Sequence, residues 1–194
     1  MIGNSPVVIK NKLKLAMNVF SWMNPKLEVR VVPKYGKGGK GLFALKKIKK
    51  DEVLAVFGGY IMKAIDMQES SFYEGDFSLQ ISEDFLIGPM GAKDLTDADY
   101  FNHNCDPNAG FKGQIFLVAM REINKDEEVV FDYAMVLQKM KGVKFYKFKC
   151  LCGSEKCRVF ITENDWKIKK IQQMYDGYFQ FFIQDKINNL KNKK

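Results

Sequence analysis

The chain has 194 residues, 46% of them hydrophobic and 28% charged, which is enough to bury a core and excludes a mainly disordered protein. Its net charge of +8 fits an acidic partner such as nucleic acid, or a target docked on one, but the excess lies in lysine-rich stretches (46–50, 139–149, 167–194) that serve equally well as solvated faces. There is no apolar run of about 18 residues and no clean secretory leader, so no membrane span is expected; the four cysteines point to a reducing compartment, cytoplasmic or, in a eukaryote, nuclear.

Residues 1–29 read as an N-terminal extension, partly helical and ending near Pro25. From residue 30 to 136, short β-branched and apolar runs alternate with glycine-rich or charged turns, which predicts a succession of short strands. "FSLQISEDFLIGP" predicts a hairpin turning at 82–84, and "GQIFLVAMREINKDEEVVFDYAMV" predicts two strands around a turn at 124–126. The βαβ alternation of a parallel nucleotide-binding sheet is missing, so the fold class is mainly β. A cysteine-bearing segment follows at 148–160, and helical patterning takes over at 161–194. There, Thr162 and Asp165 stand at capping-box spacing, and Trp166, Ile171, Met174 and Tyr175 predict one helical face. Gly177 interrupts before Phe179, Phe182, Ile183, Ile187 and Leu190 predict a second face. Two C-terminal helices packed on the β body are expected.

The rarest chemical groups are concentrated in two places. "YFNHNCDPNAGF" holds the only histidine, His103, together with Cys105; "CLCGSEKC" holds Cys150, Cys152 and Cys157. Zinc takes four tetrahedral donors, and three close-set thiolates need one more, from Cys105 or from His103. Either way the metal staples two distant segments together, with Lys149, Lys156 and Arg158 placed to offset the thiolate charge. The bland alternative is a set of reduced, buried thiols. A stapled seam beside an Asn–His pair and the tyrosine of "VFDY" is a reasonable place for a binding site.

"YFNHNCDPNAGF" resembles the N-H-x-C-x-P-N signature of SET-domain lysine methyltransferases, and "EEVVFDY" resembles their tyrosine-bearing strand. "KGGKGLFA" is similar to their G-x-G cofactor strand and "CLCGSEKCR" to their post-SET zinc segment, in the same order and at matching spacing; the tail is similar to that of small bacterial members. The resemblance covers residues 30–160. It implies a SET fold of several short β-sheets with a pseudoknot, S-adenosylmethionine on one face, and a protein-borne lysine entering a narrow channel from the other. By the same resemblance, Tyr133 is the catalytic tyrosine. Gly39, Lys40, Gly41, Asn102, His103 and Phe160 hold the cofactor, with Phe160 over the adenine, and Cys105, Cys150, Cys152 and Cys157 hold zinc.

Two departures stand out: Phe57 and Phe77 occupy positions where many members have channel tyrosines. Fewer hydroxyls restrain the amine less, so addition of more than one methyl is expected. The cysteine-rich segment that precedes the domain in some histone enzymes is missing, so histone specificity does not carry over. A lysine on a nucleic-acid-associated protein would reconcile the +8 charge with the chemistry, entering past Glu69, Glu74, Asp76 and 94–99; a monomer is expected. The competing readings are a catalytically silent zinc-stapled module for a basic peptide or nucleic acid, and methylation of a non-protein amine.

Overall fold

A computed structural model describes residues 20–36, 38–66, 77–141 and 147–192. Thirteen short strands and two helices are assigned. The strands are β1 (Trp22–Met23), β2 (Leu27–Val31), β3 (Lys40–Ala44), β4 (Val53–Val56), β5 (Tyr60–Lys63), β6 (Leu79–Gln80), β7 (Phe85–Gly88), β8 (Asn102–His103), β9 (Ala109–Lys112), β10 (Phe116–Ala119), β11 (Glu128–Phe131), β12 (Lys147–Lys149) and β13 (Phe160–Thr162). The helices are α1 (Lys169–Met174) and α2 (Phe181–Asn192).

The main sheet runs β1-β4-β10-β9-β11-β3-β2, with β8 added against β11. A three-stranded sheet β5-β7-β6 contains the expected hairpin, and β12-β13 form a separate ribbon. Among the described residues the pairings are antiparallel except for two of β11, which is antiparallel to β3 but lies parallel to β8 (Val130↔Asn102, Phe131↔His103) and to β9 (Phe131↔Ala109). Parallel neighbours cannot be joined by a tight turn. β8 and β9, only five residues apart in the chain, nevertheless both run parallel to the later strand β11, the crossing expected of the pseudoknot.

Leu42, Ile48, Leu54, Phe111, Leu117 and Ile123 are fully buried at the centre. Strand formation begins at Trp22, inside the stretch expected to be an extension: β1 pairs with β4 and Leu27 of β2 enters the core. Residues 1–19 lie outside the described residues.

The C-terminal helices pack on this body as expected. Ile171, Tyr175, Phe179, Ile183 and Ile187 join the main core cluster, and each such side chain contributes roughly 1.5–3 kcal/mol of apolar burial. Met174 and Leu190, expected on the buried faces, are exposed instead. The anticipated capping box at Thr162 forms only in half. The Thr162 hydroxyl accepts from the Asn164 N–H at 3.2 Å and donates to Asp165 Oδ1 at 2.6 Å, while Asp165 Oδ2 is taken by Arg158. The chain makes a 3-10 turn at 165–167, returns to extended backbone at Ile168, and only then enters α1. Among the described residues no helix is long and apolar enough to cross a membrane.

Candidate active site and metal centre

The site is built where β8, β11 and β3 meet. Asn102 Nδ2 donates to the Lys40 carbonyl at 2.7 Å, tying the knot to the glycine strand. Gly41 leaves room for these side chains: a Cβ on it would lie 2.7 Å from Glu128 Oε1 and 3.0 Å from Asn102 Nδ2, and both would have to shift. Two buried side chains then brace β11. Asn108 donates to the Glu128 carbonyl at 2.8 Å and accepts from the Val130 N–H at 2.9 Å, acting as a surrogate strand neighbour. His103 Nδ1 accepts from the Tyr133 N–H at 3.1 Å. That bond puts the ring proton on Nε2, which faces Cys105 Sγ at 3.2 Å. Burial, ahead of the nearby charges, pushes the imidazole down to about 4, so it is neutral at pH 7.

The four cysteine sulfurs lie within 4.8 Å of one another, with Cys105 and Cys150 at 3.9 Å. A tetrahedron with zinc–sulfur arms of about 2.3 Å has edges of about 3.8 Å, so the cluster fits zinc. The thiol energetics agree. Burial pushes Cys105 up to about 12 and also raises Cys150. For Cys152 burial acts the same way, but hydrogen-bond donors outweigh it and the thiol sits at about 7. So many sulfurs cannot be ionised together in this volume unless a cation lies between them. His103 stands behind Cys105 rather than taking the fourth position.

The Arg158 charge favours the Cys105 thiolate, as expected, but through space: its side-chain hydrogen bonds go to carboxylates. Its guanidinium forms a bidentate pair with Asp132 at 2.6 and 2.7 Å, and its Nε donates to Asp165 at 2.9 Å. The backbone N–H of Arg158 is what reaches Cys105 Sγ, at 3.4 Å. Lys156 is likewise paired, with Asp106 at 2.8 Å. Asp132, fully buried, also accepts from the Ala134 N–H at 2.9 Å, and the Tyr175 hydroxyl is 3.1 Å away. The residue preceding Tyr133 is thereby locked to the post-cysteine segment and to α1.

Tyr133 lines a narrow aromatic cleft, open to solvent, with a cavity volume of about 50 Å³. Phe57, Phe77, Phe101 and Phe131 form its walls, and the Tyr133 hydroxyl lies 3.4 Å from the Phe101 carbonyl. Such a tube suits an aliphatic stem, with a polar group near its end. Phe160 is not part of this convergence: it sits on β13, half exposed, with Lys147 Nζ 4.4 Å above its ring. Two participants escaped the sequence reading. Asp132 was hidden inside "FDY", and Asp99, expected only as part of an acidic entrance, lines the cleft itself.

A β body whose parallel crossing brings an Asn–His pair, a tyrosine-lined cleft and a four-cysteine cluster together is the architecture of a SET domain. Residues 39–134 match the SET domain family, and that stretch of the chain is a SET domain. Over 131 residues, 61% of this chain, it is 28% identical to histone-lysine N-methyltransferase SETD1B of Homo sapiens and 31% identical to histone-lysine N-methyltransferase set1 of Dictyostelium discoideum. Over 173 residues, 81% of this chain, it is 27% identical to histone-lysine N-methyltransferase SETD1A of Homo sapiens. It spans only 6%, 8% and 9% of these three relatives. The fold also matches the crystal structure of KRYPTONITE in complex with mCHH DNA, H3(1-15) peptide and SAH, with TM-score 0.52 and 20% identity over 71% of this chain and 30% of that one.

Proposed function

We propose that this protein transfers methyl groups from S-adenosylmethionine to the side-chain amine of a lysine in a protein substrate. The observation that carries this reading is the position of Tyr133, with its backbone held by His103 and its hydroxyl inside an aromatic cleft one strand away from the glycine strand that Asn102 grips. The names of the relatives support it.

When bound, S-adenosylmethionine supplies an electrophilic methyl on a sulfonium. Gly39, Lys40 and Gly41 would offer backbone at close approach to the methionine moiety, Asn102 and His103 would hold the cofactor through side-chain and backbone hydrogen bonds, and the exposed Phe160 ring would cover the adenine. The aromatic walls strip water from the lysine stem and align its nitrogen, and alignment is the largest contribution such a site can make. Tyr133 offers its hydroxyl oxygen to the methyl hydrogens and to the positive charge. The lysine must lose its proton first, and a nearby positive charge favours the neutral amine. His103, neutral and engaged at both ring nitrogens, positions Tyr133 and is not the base.

Zinc at Cys105, Cys150, Cys152 and Cys157 holds the 150–160 segment, and with it Phe160, against the knot. The N-terminal unit, the SET body, the zinc segment (148–160) and the C-terminal helices then act as one frame. The substrate class is a lysine on a nucleic-acid-associated protein, with histone H3 tail the first to try. Phe57 and Phe77 leave the channel short of hydroxyls, which favours products beyond monomethyl-lysine.

The test is transfer of isotope-labelled methyl to proteins of a lysate and to an H3(1-15) peptide, comparing wild type with Tyr133→Phe. Label that disappears in the variant is expected. No label from zinc-loaded protein that binds S-adenosylhomocysteine would favour the silent binding module. Mass spectra showing only monomethyl product at exhaustion would remove the multiple-methyl reading.

A further inference from the structure

The aromatic cleft contains a carboxylate for which the chemistry above has no use. Among the residues lining it, Asp99 is the only acid, set among the rings of Phe57, Phe77, Phe101, Phe131 and Tyr133. Its placement is built by a capping box at the 3-10 turn 97–100. The Thr96 N–H and hydroxyl donate to the same oxygen, Asp99 Oδ2, at 2.6 and 3.0 Å. Among the described residues, Oδ1 has no hydrogen-bond partner and no Lys or Arg pairs with the carboxylate. Burial raises the pKa of this group, and the Thr96 bonds oppose the rise. A carboxylate fixed at one oxygen, half sunk among aromatic rings and lacking a cation, is an incomplete site. A cation there would gain both a charge-assisted bond and the faces of the rings.

We propose that Asp99 Oδ1 receives an alkylammonium group in this cleft. Two sources carry that chemistry under the proposed function, on which the assignment of source rests: the substrate lysine and the amino end of the cofactor. Asp99 is then a binding residue that selects a cationic chain over a neutral one of equal length.

The test uses the zinc-loaded full chain and Asp99→Asn, which keeps an oxygen for the Thr96 N–H while removing the charge; Asp99→Ser is the second variant if the first unfolds. The probe for the site itself is n-butylammonium chloride, followed by amide NMR shifts at Ala98, Phe101 and Tyr133, with n-butanol as the neutral control. Saturable binding of the ammonium to wild type, weakened about tenfold in the variant and screened by salt, is expected. Calorimetry with S-adenosylhomocysteine and the KM for an H3(1-15) peptide then separate the sources. A tenfold weaker cofactor analogue assigns the amino end; a raised KM with kcat kept assigns the lysine. Methyl transfer by wild type together with unchanged values for all three probes overturns the inference and leaves the enzyme standing. Asp99-dependent butylammonium binding by a chain that neither binds the analogue nor transfers methyl does the reverse.

Discussion

Replacing Arg158 with Met removes the one cation that serves two buried carboxylates. Asp132 is fully buried and Asp165 nearly so, and Arg158 itself keeps only 17% of its side-chain surface in contact with solvent. After the change Asp132 retains the Ala134 N–H and the Tyr175 hydroxyl, and Asp165 retains the Thr162 hydroxyl. Neither retains a counter-charge. Breaking a buried pair by deleting one partner costs about 3–5 kcal/mol. At roughly 2–4 °C per kcal/mol for a chain of this size, the expected fall in Tm is about 6–20 °C. The assay is thermal unfolding of zinc-loaded protein by circular dichroism, with zinc content checked in each sample. Pairing the change with Asp132→Asn should cost at least about 1 kcal/mol less than the two single changes added together, since the orphaned charge is gone. A single-variant Tm within about 4 °C of wild type would refute the reasoning, because it would mean that water or a neighbour already neutralises Asp132.

Three further outcomes are expected. Val159, half exposed, holds φ at 66°, a conformation that costs an L-residue roughly 1–2 kcal/mol; Val159→Gly should raise stability in urea by about 0.5–1 kcal/mol, and a loss of that size would show that the valine side chain packs. Chelation of zinc should convert four slowly reacting thiols into four fast ones and open the 150–175 segment to protease, whereas equal thiol reactivity before and after would remove the metal from the argument. Burial opposes ionisation of Glu127, yet Arg121, Asn108 and the Asn124 N–H hold its pKa below the ordinary glutamate value. Its stabilisation is therefore present above the unfolded value of about 4.3 and is lost as pH falls through the lower folded value, so Glu127→Gln should be weaker than wild type at pH 7, with the gap closing as pH falls below the folded value. A difference in urea midpoint that persists at low pH would contradict this.

Much of the site was legible because its chemistry is scarce. A chain with one histidine and four cysteines has few ways to make a metal centre, so the spacing of Cys150, Cys152 and Cys157 and the isolation of Cys105 were enough. The hairpin at 79–88 and the two C-terminal helices were also readable, since their apolar period is local. What escaped depends on geometry that no window of sequence contains. β1 has two residues, too few to show alternation, and is a strand only because Val56 and Ala55 lie beside it. Thr96–Asp99 and Thr162–Asp165 have the same spacing, yet only the first closes a full capping box, because Asp165 is engaged by Arg158 and the Thr162 hydroxyl. Asn108 reads as part of a loop until β11 is brought alongside it.

The Arg158–Asp132 lock and the Cys105–Cys150 contact impose an order on biosynthesis. The strand carrying Tyr133 and the knot carrying Asn102 are made first, but what secures them arrives with residues 150–175. A chain emerging from the ribosome therefore exposes the aromatic cleft before its metal clasp exists. Cells starved of zinc would accumulate molecules stalled at that point, with the cleft open and the last helices undocked, and their clearance would set how much folded protein is present.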